Sequence, residues 1–154
     1  MEATKEYFIE KDIKVLCVTA SSFPEGVQKA HQKLHSMLSS SEHRTFYGIS
    51  YADKNGAIIY KAAAEELNDG EAERFKLETF IIRKGAYISE LLKGWRKEEA
   101  LVGKTFKKLL SDPRIDKNGY CVEVYLNDKD MRCMVPLDPS YVQNQGERNI
   151  SAIQ

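Results

Sequence analysis

The pattern that most constrains this chain is an order of elements that occurs twice: strand, helix, strand, strand. Ile13 to Ala20 (IKVLCVTA) is short, β-branched and too densely apolar for an amphipathic helix, which predicts a strand. Ser21-Ser22-Phe23-Pro24 breaks it, with Ser22 suited to a helix cap and Pro24 to a first helical turn. Val27, Ala30, Leu34, Met37 and Leu38 then recur at spacings of three and four, the apolar stripe of a surface helix ending near Ser39-Ser40-Ser41. Thr45 to Tyr51 and Ala57 to Ala64 are strand-like around the hairpin turn Asp53-Lys54-Asn55-Gly56.

The second pass runs the same way. Phe75 to Leu92 is β-rich, interrupted at Lys84-Gly85, where glycine allows a bend or bulge. From Glu98 to Leu110, the residues Leu101, Val102, Phe106, Leu109 and Leu110 share one helical face, and Asp112-Pro113 closes the helix. Tyr120 to Leu126 and Met131 to Leu137 are strands around Asn127-Asp128-Lys129-Asp130, and Pro136 marks the last as an edge strand or its end. The halves, 11–67 and 75–137, share few letters, so the duplication rests on the order of elements. It predicts one α+β domain over residues 1–137, built from pseudo-twofold β-α-β-β units. The expected architecture is an antiparallel sheet with both helices on one face and a groove between the halves. Asn68-Asp69-Gly70-Glu71 is the expected linker, and the polar, aperiodic segment 138–154 a flexible tail.

Composition narrows the function. A chain of 154 residues with 42% hydrophobic residues buries a core without disulfides or a structural metal. The 23 Lys and Arg residues balance 23 Asp and Glu, which argues against direct nucleic-acid binding. Met1 to Glu6 is polar, no apolar signal core follows, and no run approaches the length of a membrane span. Cys17, Cys121 and Cys133 are odd in number and lack CxxC spacing, which suits small core residues in a reducing, cytoplasmic setting. His31 and His35 stand four apart on the first helix, but position 32 is Gln and no third ligand is near, so no metal is expected. No GxGxxG, P-loop or GxSxG pattern is present, and no cofactor is expected.

Chemistry concentrates in Cys121-Val122-Glu123-Val124-Tyr125-Leu126. Alternation puts Val122, Val124 and Leu126 on one face, expected to pack under the helices. Cys121, Glu123 and Tyr125 then face the other way, and matching the two hairpins adds Tyr47, Ile49 and Tyr51 to that uncovered face. An acidic residue between two valines is disfavoured in a strand. Among aromatic rings it can attract a cation, accept a proton or orient a water, with its pKa raised by desolvation. Tyr87 and Trp95, the latter just after Gly94, complete the candidate ligand-binding set with Tyr47, Tyr51, Glu123 and Tyr125. The competing reading is a solvated glutamate on an open sheet and tyrosines packed as ordinary strand residues.

Taken in order, the first strand, Phe23-Pro24-x-Gly26, Tyr47-Gly48-Ile49-Ser50, Lys84-Gly85-x-Tyr87 and Val122-Glu123-Val124-Tyr125 resemble the GyrI-like small-molecule-binding domain. That domain is also the effector-binding part of AraC-type and MerR-type transcription activators. The resemblance spans about Lys11 to Leu137 and implies a ligand groove between two β-α-β-β units. It implies that Glu123 sits centrally there and meets hydrophobic, planar, in some members cationic, aromatic compounds. Some stand-alone members are similar to hydrolases of reactive cyclopropanoid compounds, which would make Glu123 and Tyr47 the catalytic pair. The family name also implies a third alternative, an inhibitor module of the gyrase-inhibitor type acting on a protein partner. No helix-turn-helix segment flanks the domain, so the expectation is a stand-alone form that reaches transcription only through a partner.

Overall fold

The computed structural model describes residues 4–38 and 43–140. Eight strands and three helices follow one another: β1 (Lys5–Ile9), β2 (Ile13–Thr19), α1 (Val27–Met37), β3 (Phe46–Ala52), β4 (Ile58–Glu65), α2 (Glu71–Phe75), β5 (Glu78–Ile82), β6 (Gly85–Leu92), α3 (Ala100–Leu110), β7 (Cys121–Tyr125) and β8 (Met131–Pro136). A single 3-10 turn, Trp95–Lys97, precedes α3. All strands join one antiparallel sheet in the order β1-β6-β8-β7-β3-β4-β2-β5, which curls into a half-barrel.

The order is symmetric about the β3–β7 contact. On one side lie β3, β4 and β2, on the other β7, β8 and β6, so the two β-α-β-β units meet through their second strands. Each unit is completed by an edge strand that precedes the other unit in sequence: β1 pairs with β6, and β5 with β2. The N-terminal edge strand was not expected from the sequence. Lys5-Glu6 at its start masks the short alternation that follows. The segment read as one bent β-rich stretch, 75–92, is instead the end of α2 and two strands in different parts of the sheet. The break at Lys84-Gly85 is a change of partner rather than a bulge. The expected linker residue Glu71 opens α2 and is buried. Pro136 ends β8, which is an interior strand between β6 and β7.

Both helices cover the same face. Helix α1 rests on β2 and β4, burying Ala30 and Leu34 against Leu16, Ala62 and Ala64. Alanines at those β4 positions leave room for close approach of the helix backbone. Helix α3 rests on β6 and β8, burying Leu109 against Ile88, Leu92, Met131, Cys133 and Val135. The other face is concave and also buried, because the curl brings Ile9 and Ile82 in from the edges over Val15, Ile49, Val122 and Met134. Tyr120 closes it, its hydroxyl 2.8 Å from that of Tyr87.

All three cysteines are reduced and lie in these layers, Cys17 and Cys133 fully buried. Desolvation pushes the Cys17 thiol up to about 12 and Cys121 up to about 11, and raises Cys133 as well. The thiolate is the reactive form. A thiol reagent such as Ellman's should therefore label no cysteine of the native protein within minutes and all three in denaturant; fast native labelling of any of them would contradict this packing.

Candidate functional site

Between α1 and α3 the two central strands β3 and β7 are left without a helix above them. Cross-strand register sets one row of residues across this gap: Glu90, Cys133, Glu123, Gly48 and Ala62, each opposite the next. Residues opposite one another in antiparallel strands share a face, and this row includes Ala62 and Cys133, which lie under the helices. Glu123 therefore stands on the helix-bearing face, between α1 and α3.

This reverses the expected assignment of faces. Cys121 and Tyr125 accompany Glu123, while Val122 and Val124 point into the concave core. Tyr47, Ile49 and Tyr51 lie with those valines, since Tyr47 pairs with Val124 and Gly48 with Glu123. The register of β3 against β7 differs by one residue from the one that matched turns imply, and a shift of one flips every side chain. Of the candidate set, the fold brings together Glu123, Tyr125 and Trp95. Tyr47, Tyr51 and Tyr87 are on the opposite face. There Tyr47 borders an open, mostly apolar hollow of about 360 Å³ with Tyr7, Ile9, Ile13, Val124 and Met134.

Around Glu123 stand Tyr125, expected there, and Tyr60 and His31, which the sequence did not assign to this site. Tyr60 on β4 and Tyr125 on β7 both donate their hydroxyls to Glu123 Oε1, each at 2.7 Å. No described side chain donates to Oε2. His31, on the inner face of α1, places Nε2 2.8 Å from the Tyr60 hydroxyl and 3.4 Å from that of Tyr125. Phe23 stacks on Tyr60, centroids 5.9 Å apart, and is 46% exposed. Trp95 tilts against Tyr125 at 5.9 Å, and its buried Nε1 has no hydrogen-bond partner. It is held there by Gly94, whose φ of 66° turns the chain out of β6 into the 3-10 turn.

The acid is possible because residue 48 is glycine. A Cβ at Gly48 would collide with both Glu123 Oε1 and the Tyr60 hydroxyl. Glu123 retains some accessible surface yet is ringed by protein. Desolvation raises its pKa, and the two tyrosine hydrogen bonds, which favour the carboxylate, offset only part of that rise. Burial likewise raises Tyr60 and Tyr125, with the Glu123 charge adding to both shifts. His31 is pushed down to about 4 by burial, then by His35 and Arg96. It is a neutral imidazole near pH 7. Arg96 stacks on Trp95 at 4.6 Å and donates to the Asp128 carbonyl; its charge reaches His31 and Tyr125. Among the described residues no cluster of His, Cys, Asp or Glu is arranged to hold a metal, and no helix is long and apolar enough to cross a membrane.

A carboxyl group with one unclaimed oxygen, bounded by Phe23, Tyr60, Tyr125 and Trp95, can form a cation–π and ion-pair site for a flat organic cation. It can equally pass a proton through the tyrosines. Neither a protein-family model nor a curated protein sequence matches this chain. Solved structures do. An integron cassette protein from Vibrio cholerae superposes with a TM-score of 0.68 at 9% identity, covering 88% of this chain and 95% of that one. A hydrolase from Listeria innocua gives 0.58 at 14% identity, covering 88% and 91%. The protein SAV2435, solved bound to tetraphenylphosphonium, gives 0.58 at 10% identity, covering 90% and 95%. At such identities the likeness is one of fold: this chain shares with those three proteins the curled antiparallel sheet and its helices.

Proposed function

We propose that this protein is a receptor for hydrophobic, planar organic cations, bound in the groove between α1 and α3 with Glu123 as counter-ion. The observation that carries the reading is the Glu123 carboxyl held by two tyrosine hydroxyls among aromatic rings, with Oε2 unclaimed. A buried carboxyl not used for binding would be a net cost to stability, since desolvation opposes its charge. The tetraphenylphosphonium carried by SAV2435, a protein of the same fold, is tetrahedral rather than planar, and supports the hydrophobic, aromatic and cationic character of the ligand. Rings supply apolar contact, and the carboxylate selects charge. Such a combination is worth on the order of 8 kcal/mol, a micromolar Kd.

The test is a titration followed by Trp95 fluorescence, since the chain has one tryptophan. Tetraphenylphosphonium should quench it and bind at least tenfold more tightly than an isosteric neutral tetraphenyl compound. Glu123→Gln should remove that preference, weakening the cation about 10- to 100-fold, the worth of a hydrogen-bonded charge. The variant should remain folded. A carboxyl whose pKa is raised in the fold contributes stability at low pH that is lost as pH rises through its folded value. At pH 8 the glutamine protein should thus melt no lower than the parent. Equal discrimination by both proteins would remove Glu123 from the reading.

A second reading, hydrolysis of a reactive electrophile, is favoured by the hydrogen-bonded chain from His31 through Tyr60 to Glu123. In that case Tyr60 or Tyr125 takes the role expected for Tyr47, which lies on the other face of the sheet. Product formed from a cyclopropanoid substrate faster with the protein than without would separate catalysis from binding.

A further inference from the structure

His31 is a buried-side histidine that neither the apolar stripe of α1 nor a metal site accounts for. Its Nε2 meets the Tyr60 hydroxyl at 2.8 Å, and that hydroxyl meets Glu123 Oε1 at 2.7 Å. His31 is half-buried, and Nδ1 takes no part in this chain. We propose that Glu123 exchanges its proton for the bound cation through Tyr60 and His31, which makes His31 a positioning residue that sets the charge of the site; this rests on the receptor reading above.

A phenol has one proton, so the chain has two self-consistent directions. With Glu123 neutral, its O–H donates to the Tyr60 oxygen, Tyr60 donates to His31 Nε2, and the imidazole carries its proton on Nδ1. With Glu123 ionised, Tyr60 donates to Oε1, His31 Nε2–H donates to Tyr60, and Nδ1 is bare. Passing from the first state to the second breaks the Glu123 O–H bond, moves one proton along each link, and sheds the Nδ1 proton to water. One proton leaves as one cation arrives, and the groove's net charge is unchanged. Burial keeps both ends in the range this requires: Glu123 is raised, and His31 is too weak a base to hold the proton in transit.

The surroundings agree. Facing the acid are Tyr60 from β4, Tyr125 and Cys121 from β7, Cys133 from β8 and His31 from α1. Arg96 acts from the turn before α3, His35 lies one helical turn from His31, and Glu90 follows Cys133 in the row. Helix α3 adds apolar Leu101, Val102, Phe106 and Leu109, buried Thr105, and Lys108, whose charge is taken up by Glu90 at 2.7 Å rather than by Glu123. None of the groups nearest Glu123 offers a fixed cation that would hold it ionised. Charge balance in the empty groove is left to the proton.

Two measurements on the full chain decide it. In ligand-free protein with 15N-labelled histidine, the His31 ring should change from the Nδ1–H to the Nε2–H tautomer as pH is raised from about 5 to 9. Glu123→Gln should abolish the change. A single tautomer throughout would overturn the proton chain whether or not any ligand binds. With tetraphenylphosphonium as probe, affinity should rise about tenfold per pH unit up to the Glu123 midpoint and then level, with close to one proton released per cation below it. Tyr60→Phe removes a donor to the carboxylate and should move that midpoint to higher pH. Cation binding that is flat with pH would sink the exchange and leave the receptor standing, whereas no binding at any pH would remove the receptor itself.

Discussion

Glu71→Ala is expected to destabilise the protein by about 3 kcal/mol. The residue lies in the segment read from sequence as a linker, yet its side chain and that of Arg44 are each 1% exposed. Arg44 donates to both carboxylate oxygens, at 3.1 and 2.9 Å, and to the Glu65 carbonyl at 3.0 Å. The backbone N–H groups of Leu67 and Asn68 add bonds of 2.7 and 3.2 Å to Oε1. This single carboxylate thus closes the loop after β4 and ties it to the start of β3. Removing it takes the carboxylate from a shielded guanidinium, which keeps its bond to the Glu65 carbonyl, and leaves two N–H groups without their acceptor, which is what makes broken buried pairs costly. The pair is occluded beneath a short loop rather than deep in a core, so the lower end of the usual 3–5 kcal/mol range applies, about 3. The guanidinium holds the Glu71 carboxyl down at about 2, against 4.5 for a free one. A lowered carboxylate stabilises fully above the unfolded pKa and loses its effect as pH falls through the folded one. Urea melts should show the gap between parent and Glu71→Ala at pH 7 shrinking between pH 4.5 and pH 2. A variant with the parent's midpoint at pH 7 would show that the clamp holds nothing.

Gly48→Ala is expected to abolish cation discrimination and to cost about 1–3 kcal/mol, as overpacking does. The added methyl meets Glu123 Oε1 and the Tyr60 hydroxyl together, with the Tyr60 ring carbon Cζ at 2.9 Å behind them. Glu123 and Tyr60 sit on the strands paired to either side of Gly48, so neither can retreat without leaving the other. The expected loss in tetraphenylphosphonium affinity exceeds tenfold. Tyr60→Phe deletes one of the two colliding groups, so the double variant should be more stable than the sum of the single changes. Strict additivity, or parental binding by Gly48→Ala, would show that the methyl is accommodated elsewhere.

Several site residues were legible in the chain and others were not, for reasons that differ. Glu123 stood out because a charge between valines opposes strand propensity, and Trp95 because it follows a glycine at a strand end. Tyr60 carries no such local signal: it is a tyrosine in a β-rich run, and only its register opposite Ser50, two pairs from Gly48 and so on the same face, aims it at Glu123. His31 was visible as half of a spaced histidine pair, but its partner is a phenol from another strand rather than a metal. Gly48 carries a signal of its own: a glycine inside an aromatic-rich strand marks close approach of another group, and its place opposite the strand-borne acid fixes the register.

Local chemistry in the chain determined the number of core strands, both long helices and the duplication, because periodicity and turn residues act over a few neighbours. The direction each strand faces, the exchange of edge strands between halves and the meeting of Glu123 with Tyr60 and His31 were decided only in three dimensions. Cross-strand register involves residues dozens of positions apart, and a slip of one inverts a strand. The curl of the sheet buries both faces, so hydrophobicity alone does not tell one side from the other.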